Sequence, residues 1–201
     1  MSQTITHIVA QVGLQDAAPQ APGSVPDRRT NANEHADFDS VYAQQVGFVW
    51  RTLRGMGVPD AAIDDAVQEV FVVVHRRLRE FDGRRSIRTW LFAIAYRIAC
   101  DQRRRLRRTR VHTPLENHLP DTSPTPHESV ERAQGMRVVA ELLESLDDEK
   151  RAVIVLAEIE GMTVPEIAEA TGVGLNTVYT RLRRARLQLN KMLAARQKGK
   201  S

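Results

Sequence analysis

A single cysteine, Cys100, stands in 201 residues, which leaves no partner for an internal disulfide and no thiol cluster for a structural zinc. Long apolar runs are also missing. Val70 to Val74 falls far short of the roughly 20 residues a membrane-crossing helix needs, so no membrane insertion is expected. The opening stretch, MSQTITHIVAQVG, has neither the basic start nor the long apolar core of a secretory signal, and a cytoplasmic location is expected. The six histidines are scattered. His112, His118 and His127 lie in a proline-rich stretch without metal-ligand spacing, so neither a metal nor another cofactor is expected. No nucleophile-base pattern and no phosphate-cradling glycine loop occurs, and Asp64 and Asp65, being adjacent, point in different directions on a helix. No catalytic residue emerges, and the chain is not read as an enzyme.

What is present is positive charge in particular places. The net charge is only +4, yet the pI is near 9.6 and arginines cluster at 103–110 and 181–186. Charge gathered in this way suits a polyanionic partner. A chain of this length can bury one good core or two small ones, and the pattern favours two.

Residues 1–35 mix Gln, Ala, Pro, Gly, Asp and Arg with few large apolar groups, which cannot offset the entropy of ordering, so a disordered extension is expected. A first helical domain is expected over 36–108. Val41, Tyr42, Phe48, Val49 and Leu53 support a helix from Phe38 that Gly55, Gly57 and Pro59 end. A second helix follows Pro59-Asp60 to about Phe81, and a third starts from Ser86 as N-cap and runs into the arginines. Residues 109–127 are proline-rich and aperiodic and read as a flexible linker. A second helical domain is expected over 128–195, with a helix from Asp147 to Glu160 that is apolar nearly all round and so needs neighbours on several sides. The fold class is all-α: two small helical domains joined by a flexible linker, the C-terminal one carrying a helix-turn-helix.

That motif, MTVPEIAEATGVGLNTVYTRLRRARLQL from Met162 to Leu189, is the most informative stretch. Thr163 and Glu166 have capping-box spacing, Pro165 is tolerated in the first turn, and Gly172 falls where a left-handed conformation strains any other residue. Val178, Leu182, Ala185 and Leu189 share one stripe of the second helix, while Asn176, Thr177, Thr180, Arg183 and Arg184 gather opposite, with Arg181 in the same arginine cluster. Arginine can fork onto guanine, asparagine can pair with adenine, and the hydroxyls reach phosphate or base edges. The outline is that of a reader of duplex DNA.

On the second helix, Ile63, Val67, Val70, Phe71, Val74 and Leu78 form a core stripe. The reverse side sets Val72 among Asp65, Gln68 and Glu69, which fits a plain solvated face or a protein contact with a polar rim. On the third helix, Ile87, Leu91, Ile94 and Ile98 face the core with Trp90 at the edge, and Thr89, Phe92, Tyr96 and Arg103 lie opposite. Those aromatics either pack on the first helix or lie beside nucleic acid, where stacking contributes about 1–3 kcal/mol per base.

The segments DAVQEVF (65–71) and SIRTWLFAIA (86–95), followed by a proline-rich linker and the helix-turn-helix, resemble in order and spacing a bacterial sigma factor of the sigma-70 family, in its small two-domain extracytoplasmic-function group. The match spans about residues 38–194. The resemblance implies promoter-directed initiation through core RNA polymerase. It makes Asp65, Gln68, Glu69 and Val72 the docking face for the clamp helices of the largest polymerase subunit. It also implies capture of the melted −10 element by Arg84, Arg85, Ser86, Arg88, Trp90, Arg97, Arg103 and Arg104. Reading of the duplex −35 element falls to Asn176, Thr177, Thr180, Arg181, Arg183 and Arg184, and an anti-sigma factor is implied as a further partner. Many members have Arg-Asn where this chain has Tyr96-Arg97, so a −10 base preference does not carry over. The alternative is a stand-alone helix-turn-helix repressor or activator, which would need a dimer to engage paired half-sites; no long heptad seam is present to supply one.

Overall fold

In the computed structural model, residues 37–110 and 126–198 are described. The expected N-terminal extension and most of the expected linker lie outside these residues. Among the described residues the chain is helical throughout, without a strand.

Helix α1 spans Phe38–Gly55 and α2 spans Asp60–Arg77. Pro59, with φ −62° and ψ 149°, holds the extended conformation that opens α2, and a 3-10 turn, Leu78–Glu80, closes it. The loop that follows is tied by the Arg84 N–H donating to Asp82 Oδ1 at 3.0 Å. Helix α3, Ile87–Arg110, begins where Ser86 Oγ accepts the Thr89 N–H at 3.1 Å, the expected N-cap. The expected stripe of α2 is buried from Ile63 to Leu78, against Val49 and Leu53 of α1 and Leu91, Ala95 and Ile98 of α3.

Helix α4 covers Pro126–Glu144 and α5 covers Asp148–Ile154, with the Asp147 carboxylate accepting the Lys150 N–H at 2.8 Å as N-cap. Instead of continuing as the regular helix read from the sequence, α5 widens into a π-helical turn, Val155–Ile159. The Glu160 N–H reaches back five residues to the Val155 carbonyl at 3.1 Å, and Gly161 then reverses direction with φ 65°. Helix α6, Val164–Thr171, starts with the expected capping box: the Thr163 N–H donates to Glu166 Oε2 at 2.7 Å. Gly172 ends it at φ 68°, the left-handed position anticipated for it. Helix α7, Leu175–Lys198, buries Val178, Leu182, Ala185, Leu189 and Leu193 along one side.

The two domains do not stand apart. Their buried residues form one continuous core, with α1 against the π-helical turn and α3 against α6. Gly55 permits the first contact, because a Cβ there would lie 2.9 Å from Val155 Cγ2. Arg51 Nε and Nη2 donate to the two carboxylate oxygens of Glu160 at 3.0 and 2.9 Å. Arg151 is fully buried, and its Nη1 donates to the Met56 carbonyl at 2.9 Å, serving a backbone oxygen just beyond α1.

Candidate nucleic-acid interface

The two helices of the C-terminal motif cross so that the buried stripe of α7 is held by α5 and α6, and its other side faces water. Asn176, Thr177, Thr180, Arg183 and Arg184 are all exposed, as the sequence periodicity requires. The Thr180 hydroxyl donates to the Asn176 carbonyl at 2.8 Å, which holds its oxygen near the first turn of the helix. Arg181 differs from the others in being half-buried. Its Nη2 donates to Glu149 Oε2 at 2.5 Å across a cleft of about 510 Å³ lined by Asp147, Glu149, Lys150, Asn176, Thr177, Thr180, Arg181 and Arg184. Burial raises the Asp147 carboxyl pKa, but the hydrogen bonds from Lys150 outweigh it and hold this carboxyl below its ordinary range. Asp147 is therefore ionised at neutral pH. Glu166 is likewise held low, first by its hydrogen bond from the Thr163 hydroxyl and then by that from the backbone, so the capping box is charged at neutral pH. The hydrophobic moiety of this surface was not anticipated: Leu175, Tyr179 and Leu187 are also exposed along α7.

The residues foreseen around α3 divide. Arg84, Arg85, Ser86, Arg88, Arg97 and Arg104 are exposed, and Trp90 is half-buried with its ring 5.4 Å from that of Phe81. Arg103 is not available in this arrangement, because it pairs with Asp148. Arg85 Nε lies 3.9 Å from Glu169 Oε1. The aromatic side of the helix is covered: Phe92 is 1% exposed, with its ring 5.6 Å from that of Tyr96. The first helix supplies part of this environment, with the Arg88 guanidinium 5.4 Å over the Phe48 ring. Helix α3 also packs against α6 of the second domain, a neighbour the sequence reading did not assign. Burial first, and then the neighbouring Cys100, raises the Tyr96 phenol pKa to about 12. Burial and the nearby Asp148 also raise that of the Cys100 thiol.

The outer side of α2 is as foreseen. Asp65, Gln68 and Glu69 are exposed, and Val72 stands 43% exposed among them. Arg51, Asp148, Arg151, Glu160 and Glu169, which join the two domains, carried no motif. A signal existed only in the π-forming segment, whose apolar circumference demanded more neighbours than its own domain offered.

Residues 41–109 match the family model of sigma-70 region 2, and residues 136–189 match that of sigma-70, region 4. The chain is 32% identical over 174 residues to RNA polymerase sigma factor CnrH of Cupriavidus metallidurans, covering 82% of this chain and 90% of that protein. It is 30% identical over 159 residues to ECF RNA polymerase sigma factor SigE of Mycolicibacterium smegmatis, covering 78% of this chain and 62% of that one. Among solved structures, CnrH in complex with the cytosolic domain of CnrY superposes with a TM-score of 0.61 at 29% identity, covering 94% of this chain and 97% of that one.

Proposed function

The chain belongs to the sigma-70 family of RNA polymerase sigma factors, in its extracytoplasmic-function group, and we propose that three faces of the molecule divide the work of promoter recognition. It binds core RNA polymerase and directs initiation at promoters with −10 and −35 elements. The polymerase clamp helices meet Asp65, Gln68, Glu69 and Val72. The carboxylates steer and orient the encounter, and the exposed valine supplies the apolar contact such a patch needs at its centre. The −35 duplex meets α7 through Asn176, Thr177, Thr180, Arg183 and Arg184, with Arg181 at the edge. The loop after α2 and the start of α3 meet the −10 strand through Arg84, Arg85, Ser86, Arg88, Trp90 and Arg97, with Arg103 and Arg104 further along the helix. The chain performs no chemistry of its own in this reading, since bond formation belongs to the polymerase.

The observation that carries the assignment is the exposure of the cationic and amide side of α7 over a fully buried apolar stripe, within the residues that match region 4. A stand-alone regulator is not favoured, because it has no use for a separate domain matching region 2. Two weak DNA contacts on one chain reinforce each other through effective concentration, which suits a subunit that acts only when held on polymerase. An anti-sigma factor that covers these faces fits the same picture, since the similar CnrH is seen in complex with the cytosolic domain of CnrY. No helix among the described residues is long and apolar enough to cross a membrane, and we place the chain in the cytoplasm with the polymerase.

Transcription with purified core polymerase tests the assignment of faces. Reversing charge with Asp65→Lys and Glu69→Lys is expected to abolish core binding while stability moves by only about 0.5 kcal/mol, because both side chains are exposed. Undiminished core binding by that variant would place the docking face elsewhere.

A further inference from the structure

Of the chain's three tyrosines, two are placed by other rings. The Tyr42 ring lies 4.7 Å from that of Phe71, and the Tyr96 ring 5.6 Å from that of Phe92. Tyr179 is different. It stands 59% exposed on α7, and among the described residues its ring has no aromatic neighbour and its hydroxyl no hydrogen-bond partner. A ring held in water with neither contact adds little to the fold.

A lone exposed apolar group is ordinary on any protein surface, so position decides what this one means. At the step of ~100° per residue in an α-helix, Tyr179 lies about 40° from Arg183 and about 60° from Asn176. Leu175, 49% exposed, precedes it by one turn on the same side. The open face of α7 therefore has two unlike borders. Along one, Thr177 and Arg181 meet Asp147 and Glu149 across the cleft; along the other, Leu175 and Tyr179 present apolar surface.

The major groove offers one apolar group, the C5-methyl of thymine, among base edges that otherwise present donors and acceptors. A ring beside an asparagine and an arginine that read such edges is placed to cover that methyl, and removing both from water is favourable. A phosphate contact would use only the tyrosine hydroxyl and would leave the apolar surface of Leu175 without a role.

We propose that Tyr179 is a specificity-determining residue for the −35 element: its ring, with Leu175 beside it, covers the C5-methyl of one thymine next to the bases read by Asn176 and Arg183. This rests on the assignment of α7 to the −35 duplex. The residues already assigned there read donors, acceptors and phosphates; Tyr179 adds a test for a methyl group, which the edge of cytosine lacks.

The probe is a promoter duplex found by mapping transcript starts with the reconstituted holoenzyme, in which each −35 thymine of either strand is replaced in turn by deoxyuridine. The exchange removes one methyl and keeps every hydrogen-bonding group of the base. Holoenzyme carrying the unchanged chain should bind about fourfold more weakly at one such position, the effect of one methyl lost from an apolar contact. Tyr179→Ala should bind the thymine duplex about tenfold more weakly and no longer distinguish uracil from thymine there, with its melting temperature unchanged because the side chain is exposed. Tyr179→Phe should keep both the affinity and the distinction. Uracil tolerated at every position by the unchanged chain would overturn the proposal, while a loss of binding by Arg184→Ala in the same assay would keep α7 on the −35 duplex. Equal weakening by Tyr179→Phe and Tyr179→Ala would overturn it in favour of a hydroxyl contact to phosphate. Weakened assembly of Tyr179→Ala with core polymerase, with duplex binding unaffected, would overturn it in favour of a protein contact. Duplex binding unaffected by both Arg184→Ala and Tyr179→Ala would remove α7 from the −35 element, and the proposal with it.

Discussion

The two arginine-bearing helices, α3 and α7, carry similar chemistry and meet opposite fates. On α7 the apolar stripe is satisfied within its own domain, so Arg183 and Arg184 are left to solvent. On α3 the inner stripe is satisfied in the same way, but Phe92 and Tyr96 lie on a second side, and α3 also packs on α6 of the other domain. The other domain brings Asp148 and Glu169 against Arg103 of α3 and Arg85 of the loop before it. A charged residue's availability thus depends on whether the apolar residues beside it have already found partners, and composition alone does not reveal that.

The comparison breaks most severely at the junction. Glu160→Ala would leave Arg51 partly buried without its carboxylate, and loss of a buried partner typically costs about 3–5 kcal/mol. Urea unfolding should show that loss, and Glu158→Ala, which takes the carboxylate from the more exposed Arg186, should show less. A glycine pair sharpens the same point. Gly55→Ala would press a methyl against Val155 and should cost about 1–3 kcal/mol, whereas Gly174→Ala meets nothing within 4 Å and should be close to neutral. Equal melting temperatures for the two would mean that the domains do not pack at α1.

On the open helix the expected effects fall on binding. Arg183→Ala or Arg184→Ala should weaken −35 recognition by about 1–3 kcal/mol where a base-specific fork is lost, and should lower the salt dependence of DNA binding, with the fold unchanged. Titration of a labelled −35 duplex at several salt concentrations checks this. The smallest effect belongs to the start of α6, where Thr163→Ala should cost about 1 kcal/mol by thermal melting.

The parts of this architecture that were legible in the sequence are those fixed by neighbours within a few residues. Thr163 and Glu166 stand three apart and find each other; Gly172 needs only its own backbone; Val178 to Leu189 repeat with the helical period. The exposed face of α2 was readable for the same reason. The junction was not. Arg51 and Glu160 are 109 positions apart and Arg103 and Asp148 are 45 apart, distances over which no periodicity carries information. Arginines are mostly exposed, yet Arg151 is buried here, with its Nη1 donating to the Met56 carbonyl just beyond α1. The π-helical turn leaves no mark in an apolar run, since one widened turn keeps the same residue types and shifts only which neighbours they face.

Sequencing of transcript starts made on genomic DNA by core polymerase reconstituted with this chain tests the central claim most directly. The account predicts starts preceded by two recurring sequence blocks, the upstream one blurred by Arg184→Ala and the downstream one unaffected by it. Starts indistinguishable from those of core polymerase alone would contradict it.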